Sequence, residues 1–134
     1  MVKWVGLLII KDRKYLLTRE KGKDFYAVPG GGQENGENDL QTLKRELREE
    51  LDLELTFPVK HFLTTELPGK GENMIIHFTL YIPMDFVVGE INKGDDIEEL
   101  LWIDTKIAQT LRDKLALLST QVLLPMLKEK NLID

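Results

Sequence analysis

Glu46, Glu49 and Glu50 crowd into one short stretch, and three consecutive glycines, Gly30 to Gly32, stand upstream of them. On a helix turning about 100° per residue, with Glu46 at 0°, Glu50 falls at about 40° and Glu49 at about 300°, so the three carboxylates share one face. Leu43, Leu47, Leu40 and Leu51 follow at about 60° to 140°, which puts Glu50 at the edge of an apolar stripe and predicts its partial burial. A half-buried carboxylate beside two others takes up a proton unless a cation joins them. Oxygen-rich ligands of this kind suit a hard ion, Mg²⁺ or Mn²⁺, which also binds phosphate oxygens. A glycine loop lets backbone groups approach such an ion or a phosphate closely. Together these residues suit metal-assisted phosphoryl chemistry, in which the ion acidifies a bound water and a carboxylate takes its proton. Taken alone, the helix reads first as a solvated face laced by the i,i+4 pairs Arg45–Glu49 and Glu46–Glu50; the glycine loop before it and the register of the whole segment reverse that reading.

The elements that must position these residues are short and punctuated by Gly, Pro and Asn. The leucine spacing predicts a helix over Asp39 to Leu51, capped by Asn38 or Asp39. Strands are expected over Val2 to Ile10 and Tyr15 to Arg19, joined by the polar turn Lys11 to Lys14 as a hairpin, and over Phe25 to Val28, stopped by Pro29. Further strands are expected over Leu53 to Phe57, Val59 to Leu67, Met74 to Pro83, Phe86 to Ile91 and Leu100 to Ile103, with Pro68 to Asn73 as a turn. Leu115 to Leu127 reads as an inward-packing helix, bent or begun near Pro125. Hairpins, crossovers and helices in this order imply an α/β (α+β) fold, a mixed sheet covered by helices.

At 134 residues with 43% hydrophobic and 31% charged side chains, the expectation is one domain spanning 1–134. No apolar run reaches the length of a membrane helix, no signal-peptide pattern is read, and there is no cysteine; a cytoplasmic protein without a membrane partner is expected, and disulfide, zinc-thiolate and thiol chemistry are excluded. The net charge of −5 disfavours a polymeric nucleic-acid partner. Residues 1–36 hold seven basic and four acidic side chains, while residues 37–54 hold three basic and seven acidic. The acidic block either repels itself or holds a cation.

Gly31, Glu37, Arg45, Glu46, Leu47, Glu49, Glu50 and Leu53 stand in register with the box of the Nudix hydrolases, Gly-x5-Glu-x7-Arg-Glu-U-x-Glu-Glu-x-Gly-U with U aliphatic, and the segment resembles that box. Ala27 to Gly31 resembles the family's lead into the box, and Glu99 to Trp102 a downstream acidic-to-tryptophan segment. Asp52 departs from the pattern, standing where the family has glycine. That position ends the helix in the left-handed region, which Asp tolerates better than most residues, so intact chemistry is expected at a modest stability cost.

The resemblance implies an α/β/α sandwich and a hydrolase dependent on Mg²⁺ or Mn²⁺. It makes Glu46, Glu49 and Glu50 metal ligands together with the Gly30 carbonyl, and makes Glu46 or Glu49 the residue that orients the attacking water. It places Arg45 and Glu37 behind them, Arg45 fixing a carboxylate. Arg19 corresponds to a basic residue that reaches substrate phosphates, and Glu98 and Glu99 stand where some members recruit a catalytic base or contact substrate. Gly31 and Tyr26 complete the substrate-binding set, with Phe25 and Tyr26 able to stack a base or to serve only as core. His61 and His77 read as packing or surface residues. The implied substrate is a nucleoside diphosphate linked to another group, with a nucleoside triphosphate, oxidised or not, preferred because the chain is compact. ADP-ribose or a nucleotide sugar is the alternative, and a nucleotide-binding module without turnover is a reading from another class. A homodimer is compatible with the family.

Overall fold

The computed structural model describes residues 2–71 and 73–134. Its elements are β1 (Val2–Leu7), β2 (Ile10–Lys11), β3 (Lys14–Glu20), β4 (Gly30–Gly32), α1 (Asp39–Leu51), β5 (Val59–Pro68), β6 (Ile75–Pro83), β7 (Ile97–Ile103) and α2 (Thr105–Gln109), then a 3₁₀ turn, Arg112–Lys114, and a π-helical segment, Leu118–Leu123, that runs into α3 (Leu124–Glu129). The strands form two sheets, one in the order β4-β1-β6-β5 and one in the order β2-β3-β7. β1 and β6 are parallel, and the other pairings are antiparallel, so the expected mixed sheet is present.

The apolar run from Val2 to Ile10, expected as one strand, serves both sheets. Leu8 N–H still bonds the Tyr81 carbonyl of the first sheet at 2.8 Å, whereas the Ile9 carbonyl already accepts from Leu16 N–H of the second at 3.0 Å. The hairpin that follows turns on Asp12 and Arg13, with φ of 52° and 62°, the left-handed pair that matches strand twist. Arg13 then reaches across the fold, donating from Nη2 to Asn131 Oδ1 at 2.8 Å and pairing with Asp134.

Alternation along β1 and β3 builds two cores. Val5, Leu7, Ile9 and Leu16 pack against Leu43, Leu47 and Leu51 of α1. Leu8, Ile10, Tyr15 and Leu17 face the other way, onto Leu118, Leu123, Leu127 and Ile133. The sheets therefore lie between α1 and the C-terminal helices, an α/β/α sandwich. Burying each of Leu43, Leu47 and Leu51, all at 0% exposure, contributes about 1.5–3 kcal/mol.

Several expected elements differ. Phe25–Val28 forms only isolated bridges, Thr18 with Ala27 and Tyr26 with Leu115. Leu53–Phe57 and Phe86–Ile91 form no strand; Leu53, Leu55, Phe57, Val88 and Ile91 nevertheless pack on the α1 core, so their apolar pattern reports burial without a ladder. Leu40, placed on the buried stripe, is 51% exposed, because the leucines that meet the sheet begin at Leu43. The C-terminal helix widens into a π segment before Pro125. In the turn between β5 and β6, Glu72 lies outside the described residues. Among the described residues no helix is long and apolar enough to cross a membrane.

Candidate active site

The glycine run is a strand. Gly30, Gly31 and Gly32 pair with Gly6, Val5 and Trp4 of β1, which fixes β4 beside α1. Gly30 has φ of 153°, and a Cβ there would sit 2.4 Å from the Val5 carbonyl oxygen, so only glycine fits this approach of two backbones. The chain then loops back into α1 through a capping box: Asn38 Oδ1 accepts from Gln41 N–H at 2.9 Å and Gln41 Oε1 from Asn38 N–H at 2.8 Å, an arrangement of which the cap alone is worth about 1 kcal/mol. Asp39, in the first turn, receives Lys3 Nζ at 2.7 Å and the Tyr81 hydroxyl at 2.7 Å. Those contacts tether the helix start to β1 and β6.

From this frame Glu46 and Glu50 converge on β4. Glu50 is buried and accepts a hydrogen bond from Gly30 N–H at 2.8 Å. Burial pushes its carboxyl up to about 8, with the charges of Glu46, Glu20 and Glu49 adding to the rise. Glu46 lies against Gly31, where a Cβ would come within 2.2 Å of its Oε1. Burial raises its pKa too, while Arg45, with Nη1 at 2.8 Å, opposes the rise. The Glu49 side chain is 59% exposed and 3.7 Å from Arg45.

Arg45 organises the outer layer. Its Nε and Nη2 donate to the two oxygens of Glu37 at 2.8 and 3.0 Å, and Nη2 also donates to the Gly32 carbonyl at 3.0 Å. The hydrogen bonds from Arg45, with one from Glu34 N–H, hold the Glu37 carboxyl down at about 2. The bidentate fork thus locks loop, strand and helix together.

These groups fit a hard divalent ion. Glu50 is a buried carboxylate whose one donor among the described residues is the Gly30 amide, Glu46 is held beside the glycine strand, and Glu49 is the more exposed of the three. Among the described residues, no three such groups already stand close enough to grip an ion; here Arg45 supplies the positive charge to Glu46.

Arg19, Tyr26 and Glu99 meet in a second group. Tyr26 Oη donates to Glu99 Oε1 at 2.8 Å, Arg19 Nη2 lies 3.5 Å from the same oxygen, and the Arg19 guanidinium stands 5.9 Å over the Tyr26 ring. Arg19 and Tyr26 border a cleft of about 190 Å³ with Lys23, Asp24 and Lys114. Phe25 is half-buried, with Lys23 and Lys70 ammonium groups 5.6 and 4.5 Å from its ring centre. Glu98 joins neither group: it is exposed, and its backbone carbonyl accepts from Lys93. A larger cavity, about 650 Å³, lies elsewhere, among Ile9–Lys11, Phe86–Ile91, Leu100 and Trp102, so size does not mark the site.

Sequence reading missed two contributors. Glu20, at the end of β3, adds its charge to both Glu46 and Glu50 and pairs with Lys23 at 2.8 Å; the register shift between Arg19 and Glu20 is a feature no local pattern announces. The segment 92–96 crosses the end of α1, with Asn92 N–H bonded to the Leu51 carbonyl and Gly94 N–H to that of Glu50, both at 2.9 Å.

The family model described as NUDIX domain matches residues 3–122. The ADP-ribose pyrophosphatase of Methanocaldococcus jannaschii is 31% identical over 102 residues, which is 72% of this chain and 58% of that protein; the match thus spans little more than half the relative's length. Among solved structures, the Escherichia coli ORF135 protein superposes with a TM-score of 0.66 at 27% identity, covering 96% of this chain and 86% of that one. The bifunctional NMN adenylyltransferase/ADP ribose pyrophosphatase of Francisella tularensis, complexed with AMP and a Mn ion, does so at 0.67 and 28%, covering 96% and 41%. With the matched region spanning the glycine strand, the acidic helix and nearly all of the sandwich that holds them, the chain belongs to the Nudix family.

Proposed function

We propose that this chain is a divalent-metal-dependent hydrolase that cleaves the pyrophosphate linkage of a nucleoside diphosphate joined to a further group. The observation that carries this reading is the convergence of buried Glu50 and half-buried Glu46 on the glycine strand, where Glu50 bonds the Gly30 amide at 2.8 Å. Glu46, Glu49, Glu50 and the Gly30 carbonyl would hold Mg²⁺ or Mn²⁺. When bound, the ion supplies an acidified water and neutralises phosphate charge.

The protein's own part is positional. Glu46 or Glu49 accepts the proton of a water that attacks one phosphorus, while the bridging oxygen leaves with the other phosphate. Arg45 and Glu37 keep Glu46 oriented from behind. Arg19 faces the developing phosphate charge, and Tyr26, braced by Glu99, lines the nucleotide side of the cleft. Gly31 leaves the room that the Glu46 carboxylate occupies.

ADP-ribose is the first substrate to test, on the names of the two pyrophosphatase relatives. A nucleoside triphosphate is the second, favoured by the cationic rim of Arg19, Lys23 and Lys114, which suits a longer phosphate chain. A panel of ADP-ribose, normal and oxidised dNTPs, dinucleoside polyphosphates and nucleotide sugars, with Mg²⁺ or Mn²⁺ and products separated by chromatography, decides between them. Metal-dependent release of a nucleoside monophosphate from one class supports the proposal. Nucleotide binding without any phosphate product would assign the chain to the binding modules instead.

A further inference from the structure

We propose that Gly94 is a positioning residue for the carboxylates of α1. Resting on the hydrolase reading above, the inference concerns what keeps Glu49 and Glu50 in place.

The last turn of a helix leaves carbonyls without intrahelical partners. In α1 the Glu50 and Leu51 carbonyls are taken by Gly94 N–H and Asn92 N–H, each at 2.9 Å. The segment that supplies these donors must therefore lie flat on the helix end. A Cβ at Gly94 would stand 1.8 Å from the Glu49 carbonyl oxygen, 2.8 Å from the Glu49 carbonyl carbon and 3.2 Å from that of Glu50. All three are backbone atoms, so no change of rotamer relieves the overlap; either the segment lifts or the helix end shifts.

The helix end is anchored on its other side, because the Glu50 carboxylate is bonded to Gly30. Beyond Gly94 the chain turns at once, with Ile97 N–H bonded to the Gly94 carbonyl at 3.1 Å and Lys21 N–H to that of Asp96 at 2.8 Å. Ile97 then pairs with Glu20. Residues 92–97 thus strap the carboxylate-bearing turn of α1 to the ends of β3 and β7, and the strap closes only because position 94 has no side chain.

The test compares wild type, Gly94→Ala and Gly89→Ala. A Cβ at Gly89 makes only an ordinary 3.4 Å contact with the Leu53 side chain, so that variant controls for loop stiffening. Mn²⁺ affinity is read by electron paramagnetic resonance without substrate, and kcat and KM are read separately. Gly94→Ala is expected to bind Mn²⁺ at least tenfold more weakly and to lose at least tenfold in kcat, with KM for the nucleotide changed less than threefold and the far-ultraviolet circular dichroism retained. Gly89→Ala should match wild type. Wild-type Mn²⁺ binding and kcat in Gly94→Ala overturn the inference alone. A wild-type chain that neither binds Mn²⁺ nor hydrolyses any nucleotide overturns the hydrolase reading and this inference with it. Should Gly94→Ala fail to fold, hydrogen exchange on the wild type replaces it: Mn²⁺ should slow exchange at the Asn92 and Gly94 amides at least tenfold, and unchanged rates there refute the coupling.

Discussion

The Glu50 carboxylate and the Gly30 amide meet at 2.8 Å across twenty positions of sequence, and this bond couples the acidic helix to the strand beside it. One backbone donor does not balance a buried charge, which is why the carboxyl sits at about 8. Replacing Glu50 with Gln keeps an acceptor for Gly30 and removes the ionisable group. Metal-dependent hydrolysis should fall at least a hundredfold in Glu50→Gln, while the metal-free variant melts no lower than wild type at pH 7. A variant retaining wild-type turnover rules Glu50 out as a metal ligand.

The same carboxyl sets a pH signature. Its folded pKa lies above the ordinary value of 4.5, so between about 4.5 and 8 the folded state keeps a proton that the unfolded chain has released. Stability therefore falls as pH rises through that window, by at most about 1.4 kcal/mol per pH unit from this group. Subtracting Glu50→Gln from wild type in urea melts with a chelator isolates the effect. The wild type should lose ground steadily from pH 5 to 8, and added Mg²⁺ should stabilise it more at pH 8 than at pH 6, since the ion favours the ionised form.

Gly31→Ala places a methyl group where the Glu46 carboxylate lies, 2.2 Å from Oε1. Glu46 must swing out of the glycine cradle. We expect kcat to drop ten- to a hundredfold with a loss of stability of about 1–3 kcal/mol. Gly32→Ala is its control, because a Cβ at Gly32 meets nothing within 4 Å; equal effects of the two substitutions on kcat argue against the cradle.

Arg45→Lys preserves charge and removes the fork. A lysine cannot donate to both Glu37 oxygens, Glu46 and Gly32 together as Arg45 does, so stability should drop by about 1–3 kcal/mol. Circular dichroism melts measure that loss. Glu46, released from its partner, should also show weaker metal dependence in the hydrolysis assay, and an unchanged melt would indicate that the fork contributes little.

What the sequence made readable was local chemistry. Asn38, the leucines at 43, 47 and 51, and Asp52 define α1 from cap to end, and Asp52 takes the left-handed conformation expected of it, at φ 49° and ψ 40°. The three glutamates share the helix face that their spacing dictates, although Glu49 projects into solvent while Glu46 and Glu50 turn in. What could not be read depends on partners distant in sequence. Gly30 to Gly32 become a strand because Trp4 to Gly6 lie alongside, and the place of Glu20 follows from its pairing with Ile97. α2 escaped notice for a different reason. It spans only Thr105–Gln109, too short for any periodicity, though Asp104, whose Oδ1 accepts from Ile107 N–H at 2.9 Å, carries an ordinary cap signal.

The parallel pairing of β1 with β6 bears on how the molecule comes off the ribosome. Val2 finds Ile76 and Leu7 finds Tyr81, so the first strand emerges long before its neighbour is translated, and β3 likewise waits for β7. Pairing between sequence-distant strands is slow to form. α1 is complete at Leu51, yet the donors that close its end arrive with Asn92 and Gly94, and Arg13 is seized only when Asn131 and Asp134 appear. The acidic helix is thus translated before the donors that close its carboxylate-bearing end.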